Sequence, residues 1–203
     1  LQSETDYSEA LDAFLRTRVT ERGTAGVVQA YRAVQAMPYR SVADRTPLTA
    51  LRTGVGACTA KHLILRDLLR RMGEEAVIEV VEGDFASGIP VHDSMSQPLQ
   101  AALREGGVID MHCRVRLSGA DGTRHLDATW PLEMQRFGFE VDRDWAGQGD
   151  TRQAIAKVVV RSDDDDVLGT KARLLAGLSE EETRKRLEFL RLLTEWLAGQ
   201  DKR

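Results

Sequence analysis

At Gly73 the apolar residues change from helical to strand spacing, and that switch rules out both an all-helical and an all-β fold. Upstream, from residue 57 to 72, Leu65, Leu68, Leu69 and Met72 share one helical face while Arg66, Arg70 and Arg71 occupy another. Downstream, residues 76–81 are rich in β-branched side chains and read as a strand. Residues 109–117 and 123–130 alternate as two more strands, joined by Gly119-Ala120-Asp121-Gly122 as a hairpin, and residues 155–161 supply another. Helical spacing also marks residues 8–19, through Ala10, Leu11, Phe14, Leu15 and Val19, and residues 24–36, capped by Thr24 and stopped by Met37-Pro38. Thr46-Pro47 opens a short helical turn through Leu51. The acidic run 163–166 reads as a solvated connector before further helix, in which Ser179 and Glu182 form a capping box. There Leu187, Leu190, Leu193 and Leu197 make the expected buried stripe. Residues 83–98 and 131–150 read as a long loop and an irregular segment. The expected class is α+β.

Composition narrows the functions. The chain has 203 residues, 42% hydrophobic, enough for one medium domain with a sizeable core. A net charge of -4, with both signs mixed, gives no field to gather nucleic acid or an anionic membrane, and no basic stripe or aromatic platform is present. No stretch nears the roughly 18 consecutive apolar residues of a membrane span. The polar start Leu1-Gln2-Ser3-Glu4-Thr5-Asp6 lacks the character of a signal peptide, so a soluble, cytoplasmic protein is expected. Two cysteines are too few for a disulfide scaffold or a four-cysteine zinc site.

Cys58 opens the helix after Gly54-Val55-Gly56-Ala57, where the positive end of the dipole stabilises a thiolate and the Cys58 N–H is a candidate oxyanion donor. Cys58, His62, Leu65, Leu69 and Met72 fall on one stripe, so the thiol end points toward the sheet. In the hairpin, a four-residue connection pairs Ser118 with Thr123 and sets Arg114 opposite Asp127 and His112 opposite Thr129. One face then carries His112, Arg114, Arg116, His125, Asp127 and Thr129. The other carries Cys113, Val115, Leu117, Leu126, Ala128 and Trp130 and belongs against a core. His112 and Asp127 become diagonal neighbours, roughly 7–8 Å apart at the backbone and within side-chain reach. A nucleophile, a base and an orienting carboxylate are thereby available on adjoining elements. Each has a plainer reading: Asp127 paired with Arg114, His112 an ordinary strand histidine, Cys58 a small buried hydrophobe. His125 is read as solvent-facing, His62 as packing or a hydrogen-bond partner, and Cys113 as core. A zinc site from Cys58, His62 and His112 lacks any recognised ligand spacing, and no metal or cofactor is expected.

The run Gly54-Val55-Gly56-Ala57-Cys58-Thr59-Ala60-Lys61-His62, then His112, then Leu126-Asp127-Ala128-Thr129-Trp130 resembles the transglutaminase-like superfamily, and Cys-x-x-Lys-His looks like one of its bacterial branches. The match covers residues 37–130. The resemblance implies a papain-like α+β core, with the cysteine at the N-terminus of a central helix packed on an antiparallel sheet and extra N- and C-terminal helices. That makes a single domain over 1–203: helices in 1–53, a catalytic core in 54–161 and helices in 162–203. It also implies thiol acyl chemistry on an amide or (thio)ester of a peptide, protein or small molecule, with Cys58 attacking, His112 moving the proton and Asp127 fixing the imidazole. Gln35, Tyr39, Gly56 and Trp130 are the candidates for oxyanion or substrate contacts. Inactive members also resemble this pattern, so a non-catalytic peptide- or protein-binding module is the alternative.

Overall fold

The computed structural model describes residues 2–40, 44, 46–120 and 122–200; Leu1 of the polar start and Asp121 of the hairpin connection lie outside them. Helices α1 (Gln2–Arg18), α2 (Gly23–Gln35), α3 (Pro47–Thr53) and α4 (Cys58–Arg71) precede strand β1 (Glu75–Asp84). Helix α5 (Gln97–Glu105) leads to the hairpin β2 (Ile109–Gly119) and β3 (Gly122–Leu126), and then come β4 (Ala156–Ser162), α6 (Val167–Ala176) and α7 (Glu180–Gln200). The class is α+β. Among the described residues no helix is long and apolar enough to cross a membrane.

The sheet is antiparallel throughout, ordered β3-β2-β1-β4. Ser118 pairs with Thr123 as expected, but Gly119 also pairs with Gly122 and the β2–β3 pairing ends at Val115–Leu126, so the expected Arg114–Asp127 and His112–Thr129 strand pairs do not form and His112 pairs with Val81 of β1. One face packs Ile78, Val80, Cys113, Val115 and Leu117 against Ile64, Leu65, Leu68 and Leu69 of α4, with Val27 and Val34 of α2 alongside. Val81 belongs to a second apolar cluster, with Leu99 of α5 and Phe189, Leu193 and Trp196 of α7. The rest of that face is charged: Glu79 binds Arg114 and Arg116, which leaves Asp127 free of the Arg114 pairing. The connector 163–166 is exposed, with Asp166 capping α6 at Gly169 N–H, 3.1 Å away.

Local chemistry explains where the sequence reading slipped. The 83–98 segment ends inside α5, because Pro98 takes the start of a helix, where its missing N–H costs nothing, and the Ser96 hydroxyl caps Leu99 N–H. Helix α2 begins at Gly23, and its flanking Arg22 makes no side-chain cap, so Thr24 is not the capping residue. Strand β3 stops at Leu126 rather than 130 because the Asp127 side chain accepts from Thr129 N–H at 3.0 Å and bends the backbone locally. The capping box forms, with Glu182 accepting from Ser179 N–H at 2.8 Å. Leu187, however, is 56% exposed, and the buried side of α7 runs through Phe189, Leu190, Leu192, Leu193, Trp196 and Leu197.

Candidate active site

Helix α4 starts where the chain is pinned. Gly56 N–H donates to Pro38 O and Gly56 O accepts from Arg40 N–H, both at 3.1 Å, and a side chain at Gly56 would crowd Ala50 Cβ at 3.1 Å. Ala57 is extended and offers no side-chain cap, so the first turn beginning at Cys58 keeps its positive end uncompensated by a capping group. One turn later, Lys61 is fully buried and donates to Met37 O at 2.7 Å, Thr129 O at 2.8 Å and Gln35 O at 3.3 Å. Burial presses its pKa down to about 7, yet three carbonyl acceptors require three N–H donors, which only the ammonium supplies. Lys61 thus ties the end of α2 and the segment that follows β3, which bears Asp127, to α4.

His112 and Asp127 meet directly. The Asp127 Oδ2 atom accepts from His112 Nε2 and from Ala154 N–H, both at 2.8 Å, while Oδ1 accepts from the Thr129 hydroxyl at 2.6 Å. Both residues are buried, at 1% and 4% exposure. Burial alone would raise the Asp127 pKa, but the His112 charge and its hydrogen bond overcome that and hold the carboxyl well below the usual range.

His62 supports this pair rather than competing with it. Its Nδ1 is 2.8 Å from Cys58 O and its Nε2 accepts from Ala128 N–H at 2.8 Å, which assigns the proton to Nδ1. Asp127 Oδ1 also lies 3.3 Å from His62 Nε2, but that lone pair is already engaged, so the contact is no ion pair. The same point bears on metal binding. His62, His112 and Asp127 present ligand atoms within 4.8 Å of one another, but an ion there would have to displace both the Ala128 and the His112–Asp127 hydrogen bonds.

The thiol lies between two cations. Lys171 of α6 brings Nζ to 3.8 Å from Cys58 Sγ and to 3.0 Å from Thr59 Oγ1. His112 acts on the sulfur from the other partner set, through its charge and a side-chain hydrogen bond. Burial opposes ionisation of Cys58 most strongly, yet the Lys171 charge first and the His112 charge second outweigh it, and the thiol falls from an ordinary 9.0 to about 5. For His112 burial likewise disfavours the charge, but Asp127 and the Cys58 thiolate raise it from 6.5 to about 10. Both shifts run in the direction that favours a thiolate–imidazolium pair. Cys113 shows what burial does where a cation's pull is too weak to offset it: desolvation lifts its thiol to about 11 against the lowering charge of Lys171, in keeping with a core residue.

The weaker candidates separate. Gln35 donates to the Tyr31 hydroxyl at 3.3 Å and accepts from Arg32 at 2.8 Å, so its amide is committed beneath Asp127, where Tyr31 donates to Asp127 O at 3.2 Å. One of its two amide N–H donors is thereby taken. Gly56 N–H is likewise taken by Pro38, and its part is to shape the entry into α4. Tyr39 packs on Trp130, ring centroids 5.0 Å apart, in the same apolar cluster as Cys58. Trp130 is 6% exposed, and its indole N–H has no partner among the described residues. It also lines a cleft of about 450 Å³ walled by Ser87 to Pro90 on one side and by Gly138 and Glu140 on the other, so both irregular segments meet there. His125 is half-buried and pairs with Asp150 at 3.1 Å, away from the thiol.

Lys171 is the residue that sequence reasoning missed. It lies 113 positions from Cys58, on a short helix whose pattern offers no signal for such a role, and only the packing of α6 on β1 and β2 brings it to the sulfur. No family model and no curated protein sequence matches this chain.

Proposed function

We propose that the chain is a transglutaminase-like cysteine enzyme with a papain-like core, acting on an amide or (thio)ester through an acyl-enzyme on Cys58. The observation that carries this reading is the buried Asp127–His112 hydrogen bond at 2.8 Å beside the Cys58 thiol, whose pKa the Lys171 and His112 charges lower. In the proposed cycle the Cys58 thiolate attacks the carbonyl carbon. The Cys58 N–H at the head of α4 and the unpartnered Trp130 N–H take the developing oxyanion. His112 delivers its proton to the leaving group and then, as a neutral base, accepts one from the water or amine that releases the acyl group. Asp127 keeps Nε2 occupied and so directs the other ring nitrogen to the sulfur. The cleft between the two irregular segments, bordered by the Arg152–Glu140 ion pair, is the proposed substrate approach.

Iodoacetamide tests the reading: Cys58 is alkylated rapidly near neutral pH, and His112→Ala slows that sharply. Alkylation no faster than that of a free thiol defeats it. The thiol is only 7% exposed, which also suits a binding module that retains the fold. In that case Cys58→Ala leaves partner binding intact and no ester or thioester is turned over by the unaltered chain.

A further inference from the structure

The Lys171 amine lies at ion-pair distance from the Cys58 sulfur, and its position has a chemical consequence once that sulfur is acylated. Nζ is 3.8 Å from Cys58 Sγ and is steadied by Thr59 Oγ1 at 3.0 Å. Lys171 is 6% exposed and enters from α6, a separate element from those carrying His112 and Asp127. A thioester carbonyl carbon is one bond from the sulfur, so an acyl group turned toward α6 can reach the near-attack separation of about 3–3.5 Å from a nitrogen so placed. The amine is thus preassembled against the acyl group at a high effective concentration, whereas water or an external amine must first enter a buried site.

We propose that Lys171 is an internal acyl acceptor, so that the protein acylates its own lysine by S-to-N transfer from the Cys58 thioester. This rests on the thiol-acyl reading above and extends it. The donors would be thioesters or activated esters, whose leaving groups depart without needing a strong acid.

The electrons and protons balance. In the first step Cys58 S⁻ forms a bond to the acyl carbon, the donor's C–S or C–O bond breaks, and His112 gives its proton to the leaving group. Thioester formation removes the negative charge beside Lys171. One anion fewer next to a buried ammonium favours loss of its proton to solvent. The Nζ lone pair then attacks the thioester carbon, its surplus proton passes to His112, and the C–S bond breaks to regenerate the thiolate. The products are an amide on Lys171 and the original Cys58–His112 ion pair. The lysine has lost its positive charge, so the modification also withdraws one of the two cations that hold the thiol ionised.

The test uses the full chain and p-nitrophenyl acetate, with peptide mapping by mass spectrometry after hydroxylamine, which cleaves thioesters and spares amides. Support is an acetyl group on Lys171 that resists hydroxylamine and forms at least about tenfold more slowly in Cys58→Ala, and likewise in unaltered protein whose Cys58 was first blocked with iodoacetamide. Lys171→Arg, which keeps the charge, then accumulates only a hydroxylamine-labile acetyl on Cys58. Two results overturn the proposal while leaving the thiol-acyl reading standing: a labile Cys58 adduct with no Lys171 amide, or Lys171 acetylation at an equal rate without a free Cys58. Absence of any Cys58 adduct in both the unaltered chain and Lys171→Arg overturns the thiol-acyl reading itself, and this proposal with it.

Discussion

Each strand of the hairpin carries a histidine paired with a carboxylate from outside it, and the two pairs differ mainly in how much water surrounds them. His112 Nε2 lies 2.8 Å from Asp127 Oδ2, and His125 Nδ1 lies 3.1 Å from Asp150 Oδ2, so the contact distances are close. The side chains of the first pair are 2% and 1% exposed; those of the second are 23% and 54% exposed. Solvent screens the outer pair, whose contribution belongs with surface ion pairs of about 0–1 kcal/mol. The inner pair has no such screening, and its charges are compensated by a fixed shell instead: Thr129 and Ala154 on the carboxylate and the Cys58 thiolate on the imidazole. Burial, rather than residue type, makes one histidine a candidate base and the other a surface residue.

The largest effect expected to sharpen this contrast is on turnover of an ester or thioester. His112→Ala should lower kcat/KM by a factor on the order of 10²–10⁴, the usual worth of a positioned acid–base group, while His125→Ala stays within about twofold. Equal losses in a steady-state assay would erase the distinction between the pairs. Next is stability. Asp127→Asn leaves a buried imidazolium without its anion and should cost about 3–5 kcal/mol in urea unfolding, whereas Asp150→Asn should cost less than about 1 kcal/mol.

The pH dependence of stability is smaller and has a definite shape. On folding, the Cys58 pKa falls from 9.0 to about 5 and that of His112 rises from 6.5 to about 10. Between pH 6.5 and 9 the folded and unfolded pair each hold one proton, so the pair adds no slope. Below 6.5 the unfolded pair holds one proton more, and stability is lost as pH falls toward 5. Above 9 it holds one fewer, and stability is lost as pH rises toward 10. Each flank slopes at about 1.4 kcal/mol per pH unit. Unfolding midpoints measured from pH 4.5 to 10 should trace this plateau, and Cys58→Ala should remove its acid flank. A steady slope across pH 7 to 8.5 in the unaltered chain, absent from the alanine variant, would refute the ion-pair assignment. Smallest is Tyr31→Phe, which removes the donor to Asp127 O and leaves that carbonyl one partner short, for a loss of about 1 kcal/mol in the same unfolding assay.

Much of the fold was legible because local rules act over a few residues. The period switch at Gly73, the helix start at Thr46-Pro47, the Ser179 capping box and the Ser118–Thr123 register all rest on chemistry between near neighbours, and the structure contains each. Reading failed where a local signal had two meanings. Pro98 marks a loop or the first turn of a helix, and Leu187 extends the apolar spacing of α7 yet faces water. The sequence also brought His112 and Asp127 to neighbouring positions, since two paired strands and an alternating pattern suffice for that.

By itself, then, the sequence determined the α+β elements, the hairpin register and the placement of Cys58 at the head of a helix, because backbone propensity, capping and alternation operate within one element or one turn. Only the tertiary structure decided that Lys171 reaches the thiol, that Gln35 packs on Tyr31 and Arg32 while Gly56 spends its N–H on Pro38, and that His112 is buried while His125 is not. Those outcomes depend on how α6, α7 and the segment before β4 pack against the sheet. Desolvation and charge pairing arise between groups far apart along the chain, and no local pattern encodes them.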